Sequence, residues 1–121
     1  MPKIMTKQYE NKKFFIPYSL DKTEGVWVRP LTRALRDTLQ REAMLEAGMD
    51  TQLGQELLSL KVLQACVLDW KGARDTEGKD IPFSKESIRE MWKYDLPMTE
   101  EMLRRVMDVA RCGELAEVAP L

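Results

Sequence analysis

The stretch LDWKGARDTEGKDIPFSKESIREMWKYDL, residues 68–96, decides how the chain folds. It starts at the end of an apolar helical run and crosses a charged turn flanked by Gly72 and Gly78. It then stops at Ile81-Pro82-Phe83 and re-enters a helix through Ser84. Asp75-Thr76-Glu77-Gly78 is rich in turn formers, so Trp70 to Phe83 reads as a small ribbon, and Gly72 permits a bulge or a close backbone approach. Ser84 suits an N-cap, because its hydroxyl can accept a backbone N–H from the first helical turn. Phe83 and Ile88 occupy the two positions of a hydrophobic staple around it. The helix over Lys85 to Lys93 is expected to bury Ile88, Met91 and Trp92.

Upstream of this stretch the hydrophobic period changes twice. Phe14-Phe15-Ile16-Pro17-Tyr18 and Val26-Trp27-Val28 are short β-prone runs separated by turn formers from Ser19 to Gly25, which predicts a β-hairpin. Pro17 has no N–H to donate to a ladder, which pushes its strand to an edge or shortens it. From Thr32, a natural N-cap, Leu35, Leu39 and Ala43 recur at helical spacing, with Arg33, Arg36, Asp37, Gln40 and Arg41 on the other face. Gly48 closes that helix by its ease in the left-handed conformation. Asp50 or Thr51 caps the next one, which is predicted over Gln52–Leu68. From Leu57 onward that helix is apolar nearly all round, the pattern of a helix buried on several sides. Gly54 weakens it by ~1 kcal/mol relative to Ala.

Downstream, Leu96-Pro97-Met98 is expected to break the chain. Thr99 would then cap a last helix, with Glu100 and Glu101 in its first turn, where the helix dipole favours acids. Its apolar stripe is read as Met102, Leu103, Val106, Met107 and Ala110, and its closing signals as Arg111 and Gly113. The fold class that results is α+β, mostly α: about four helices with one or two short β-hairpins in a single compact domain. Residues 13–113 form that domain, preceded by a flexible basic arm over 1–12 and followed by a frayed tail over 114–121.

Composition narrows the function by exclusion. With 121 residues, 44% hydrophobic and 32% charged, the chain suits one soluble globular unit. The formal net charge of −1 and a pI near 5.6 leave no positive field for a nucleic-acid backbone. The one basic cluster, Lys3, Lys7, Lys12 and Lys13, falls on the N-terminal arm. Histidine is absent, and with it the commonest general base and metal ligand. The two cysteines, Cys66 and Cys112, match no metal spacing and read as free thiols. Asp69 to Asp80 is acidic, but Lys71, Ala73 and Lys79 fall where a calcium loop needs oxygen ligands. Glu86 and Glu90 stand one helical turn apart among Lys85, Arg89 and Lys93, which is expected to give a solvated, ion-paired face and not an acid–base pair. No phosphate-binding glycine loop is present. The chain is therefore expected to be no enzyme and to carry no cofactor or metal. No signal-peptide pattern opens it and no apolar run reaches membrane-spanning length, so the cytoplasm is the expected place.

The candidate binding residues are Trp70, Met91, Trp92, Met98 and Met102. Eight methionines is a high number for 121 residues, and Met91, Met98, Met102 and Met107 gather beside Trp92 and Tyr94 in the C-terminal third. Two readings stand open for them. Methionine fills irregular core gaps, and it also furnishes surfaces that accept varied apolar partners. Trp70 and Trp92 divide in the same way between core and interface.

Taken in order, these segments resemble the tail assembly chaperones of long-tailed bacteriophages and prophages. The resemblance covers roughly residues 24–112. It rests on a β element leading into Val28-Arg29-Pro30-Leu31-Thr32 and a charged helix, then on an apolar helix ending in Val67-Leu68-Asp69-Trp70-Lys71-Gly72. The Asp75-to-Lys79 turn, Ile81-Pro82-Phe83-Ser84 and two short helices complete it. The resemblance implies a protein of the host bacterial cytoplasm that binds the long helical tape measure protein, keeps it soluble and helps recruit tail tube subunits. Self-association is left open, and many such proteins also occur as a longer frameshifted product. A structural head–tail connector or tail-completion protein is the competing expectation, followed by a regulatory adaptor.

Overall fold

The computed structural model describes residues 12–18 and 23–112, without the side chains of 110–112. Its order is β1 (Phe14–Pro17), β2 (Gly25–Val28), α1 (Arg33–Ala47), α2 (Thr51–Cys66), β3 (Val67–Lys71), α3 (Lys85–Tyr94) and α4 (Leu96–Cys112). It is a mostly helical α+β domain, as the sequence predicts. The expected arm (apart from Lys12), the tail, and the hairpin turn at 19–22 lie outside the described residues.

The strands form one antiparallel sheet in the order β1-β2-β3. Pro17 sits on the edge strand, where its missing N–H costs no ladder bond. Ile16 faces Val26, which faces Trp70, and Phe14, Val28 and Val67 form the next cross-strand row. Residues directly opposite share a face, so these two rows line the inner side. Phe15, Trp27 and Asp69 lie on the outer side, with the Phe15 and Trp27 rings 5.1 Å apart.

The apolar run does not stay helical to Leu68, as its pattern predicts: α2 ends at Cys66, and Val67 begins β3. A continuous apolar run has no period that separates a buried helix from a buried strand, and pairing with β2 settles the matter. The register slips between Trp27 and Val28, which leaves Leu68 as the extra residue of a β-bulge. The second ribbon expected over Trp70 to Phe83 shrinks to a single bridge between Arg74 and Asp80, because Trp70 and Lys71 pair with Val26 and Gly25 instead.

The helix caps follow local chemistry. Thr32, Asp50 and Ser84 accept the N–H of Leu35, Leu53 and Ser87, at 3.2, 3.0 and 2.9 Å. Gly48 ends α1 at φ +64°, a conformation that a side chain disfavours. Thr99 is not a cap. Asp95 closes α3 through its N–H to Met91 O (2.7 Å) and opens α4 through its carboxylate, which accepts Met98 N–H at 3.1 Å. Pro97 therefore lies in the first turn of α4, where no N–H is needed. Thr99 is buried inside that helix and donates its hydroxyl to Asp95 O at 2.8 Å.

The core joins the inner sheet face (Ile16, Val26, Val28, Val67) to Leu60, Leu63 and Cys66 of α2, Ile88 of α3, and Met102, Val106 and Val109 of α4. Helix α2 is the central one, packed on α1, α3, α4 and β3. Its first turns are mostly exposed, and the half from Leu57 onward is buried or half-buried all round, as its apolar pattern predicts. On α4 the buried stripe is Thr99, Met102, Val106 and Val109, while Met107 is 43% exposed. The earlier start of α4 does not change its phase; the buried stripe is centred further round the helix than the apolar spacing suggests. Cys66 is a fully buried free thiol. No helix among the described residues is long and apolar enough to cross a membrane.

Candidate functional site

A single residue, Asp95, joins α3 to α4, and its non-helical backbone (φ −123°, ψ 78°) interrupts the helix there. Met91 and Tyr94 on one side of the junction and Met98 and Met102 on the other come to line one wall of a groove of about 950 Å³. Trp70 of β3, Tyr18, just after β1, and Ile81 of the following loop line it too. Met102 is 3% exposed and serves chiefly as core, with one side forming the groove floor. Met91 and Met98 are half-buried against the core and Tyr94 is 76% exposed at the rim.

Four of the five candidate residues from the sequence thus meet in one place: Trp70, Met91, Met98 and Met102. Trp92 does not join them. It points elsewhere on α3 and packs half-buried against the core. Met107 likewise lies outside the groove.

The Trp70 ring is fixed. Its Nε1–H donates to Ile81 O at 2.8 Å, and its edge meets Phe83 with centroids 5.2 Å apart at 87°. The loop that carries Ile81 is held in turn by Ile81 N–H to Ala73 O (2.7 Å). The Asp75 carboxylate, which accepts Glu77 N–H and Lys79 N–H, holds its tip. Gly72 takes φ +87° at the end of β3, where a Cβ would run into the Glu24 side chain. The absence of that Cβ lets Glu24 reach Arg74 at 2.9 Å, and Arg74 Nε lies 3.3 Å from Asp80.

Electrostatically the groove is an apolar floor with a charged margin. Burial pushes the Tyr18 hydroxyl up to about 12, and the Glu24 carboxylate adds to that shift. Sequence reasoning missed Tyr18 and Glu24, which flank the hairpin turn. Nothing in their local pattern says which helix ends the hairpin will face. Among the described residues no group of three or more His, Cys, Asp and Glu could hold a metal ion. The arrangement offers flexible thioethers and fixed aromatic faces to an apolar occupant, bordered by carboxylates.

No curated protein and no solved structure matches the chain. One family model does, that of the YdaY prophage protein, over residues 27–113. That span runs from Trp27 in β2 past the end of α4 and includes every methionine and Trp70 of the groove. The chain therefore belongs to the YdaY family of prophage proteins.

Proposed function

We propose that this prophage protein is a tail assembly chaperone. It holds apolar helical segments of the tape measure protein in the host cytoplasm and assists tail tube assembly without catalysing a reaction. The observation that carries the reading is the groove itself: an open apolar channel lined by Met91, Met98 and Met102 together with the hydrogen-bonded Trp70 ring. A tape measure protein is long, and its apolar side chains vary along its length. A holder of such a chain needs contacts that re-pack from one segment to the next, and thioether side chains allow that. Several copies along one chain would strengthen one another, since each bound neighbour raises the effective concentration of the next contact. The prophage family supports the setting, and the resemblance to tail assembly chaperones supports the partner.

The test is co-expression with the tape measure protein of the same prophage, read as solubility and co-purification. The parent protein is expected to keep the partner soluble. A folded Met91→Ser/Met98→Ser variant is expected to lose it, and Met107→Ser, exposed outside the groove, to keep most of it. Failure of the parent to co-purify would sink the reading. So would its presence in stoichiometric amounts in finished particles, which would favour a head–tail connector or tail-completion protein instead.

A further inference from the structure

The charges around the apolar floor are unequal. Glu24, Asp75, Glu90 and Asp95 line the groove, against a single lining cation among the described residues, Arg74. Arg74 is already neutralised by Glu24 and Asp80, at 2.9 and 3.3 Å. The other three carboxylates are not neutralised in this way. Glu90 is exposed and forms no ion pair among the described residues. Asp75 and Asp95 accept backbone N–H groups, which orient a carboxylate without cancelling it. Lys93 stands at the margin, 5.6 Å from the centre of the Tyr94 ring, and leaves the rim acidic on balance. Asp75 lies on the loop, Glu90 on α3 and Asp95 at the α3–α4 junction, so three separate segments bring negative charge to the groove lining.

We infer that, granted the groove as the holding site, its occupant is an amphipathic helix whose apolar face is flanked by Lys or Arg. Its apolar side chains meet Trp70, Met91 and Met98. The basic flanking side chains lay their aliphatic stems along the walls and bring their charges to Asp75, Glu90 and Asp95. The same rim repels a helix of equal hydrophobicity flanked by Glu. Complementary rim charge gives selectivity and faster association where the apolar floor alone is permissive.

The experiment uses the full chain and two labelled helical peptides of about 18 residues, long enough to span ~27 Å. Both carry one Leu- and Met-rich stripe; one is flanked by Lys and the other by Glu. Binding is read by fluorescence anisotropy at low salt and at about 1 M salt, where charges are screened within ~3 Å. The expected result is a preference of about tenfold for the Lys-flanked peptide at low salt, from three exposed pairs of modest strength. That preference should collapse at high salt. Asp75→Asn/Glu90→Gln/Asp95→Asn keeps the oxygen acceptors that hold the turn and cap α4, so it should fold and bind both peptides alike. A control triple, Glu42→Gln/Glu56→Gln/Glu100→Gln, removes exposed charges away from the groove and should keep the preference.

Equal binding of both peptides by the parent would overturn the charge rule while leaving an apolar holder intact. Loss of preference in the control triple would overturn it too, by assigning the effect to whole-molecule charge. Binding of neither peptide would overturn the inference, and co-purification of the tape measure protein would then decide the chaperone reading separately.

Discussion

Truncation of Leu63 probes the architecture most directly. The side chain is fully buried in α2, within the cluster that joins the inner sheet face to α3 and α4. Leu63→Ala removes apolar surface worth about 2 kcal/mol by transfer, and the void it leaves raises the cost to ~3–5 kcal/mol. A domain of this size has a total stability of about 5–15 kcal/mol, so the variant should fold but melt far earlier, by roughly 10–20 °C. Its urea midpoint should fall by about 2 M with an unchanged slope. Leu53, on the same helix but 37% exposed in its first turn, is the internal control. Leu53→Ala should cost no more than about 1 kcal/mol. Far-UV circular dichroism through heat and urea titrations measures both. If Leu63→Ala and Leu53→Ala melt within a degree of each other, α2 is not the central helix and the packing described above is wrong.

Three further outcomes are expected. Ser84→Ala removes the acceptor of Ser87 N–H at the start of α3 and should cost about 1 kcal/mol, with Ser84→Asp restoring most of it; calorimetry would show whether that cap matters. Tyr18 should ionise near pH 12, seen as a late step in tyrosinate absorbance that Tyr18→Phe abolishes. Because its pKa is raised by folding, its share of stability is complete below pH about 10 and is lost as the pH rises towards about 12. Burial pushes the Cys66 thiol up to about 11, against a smaller opposing pull from Arg29. In a Cys112→Ser background Cys66 should therefore resist a thiol reagent at pH 8 until the protein unfolds, and fast labelling of the native protein would contradict its burial.

Local physics makes much of this protein legible in its sequence. The hairpin follows from two β-prone runs around turn formers, and its edge position for β1 from one proline without an N–H. Thr32, Asp50 and Ser84 act as caps because a short side-chain oxygen beside an incipient helix has a nearby backbone N–H to accept. The burial of Leu60 and Leu63 follows from a run that is apolar nearly all round, and that of Ile88 from its place in the first turns of α3 after Phe83. Each of these features is decided within a few residues, where the sequence holds all the information.

The misreadings fall where distant parts of the chain compete. Val67 and Leu68 continue an apolar run that suits helix and strand equally, and only a partner strand some forty residues earlier makes them β3. Thr99 and Asp95 are both good caps, and the tertiary path lets Asp95 serve two helices and buries Thr99. The methionine cluster is visible in the sequence, but not its division into core and surface. Met102 goes to the floor, Met91 and Met98 to the wall, and Met107 and Trp92 outside the groove. Tyr18 and Glu24 reach the same groove because β2 pairs with β3, a contact whose loop-closure cost is met only by the whole core forming at once. Helix caps and turns are set by neighbours in sequence. The groove is set by neighbours in space, and its acidic rim exists only once the hairpin, the loop and the α3–α4 junction have packed together.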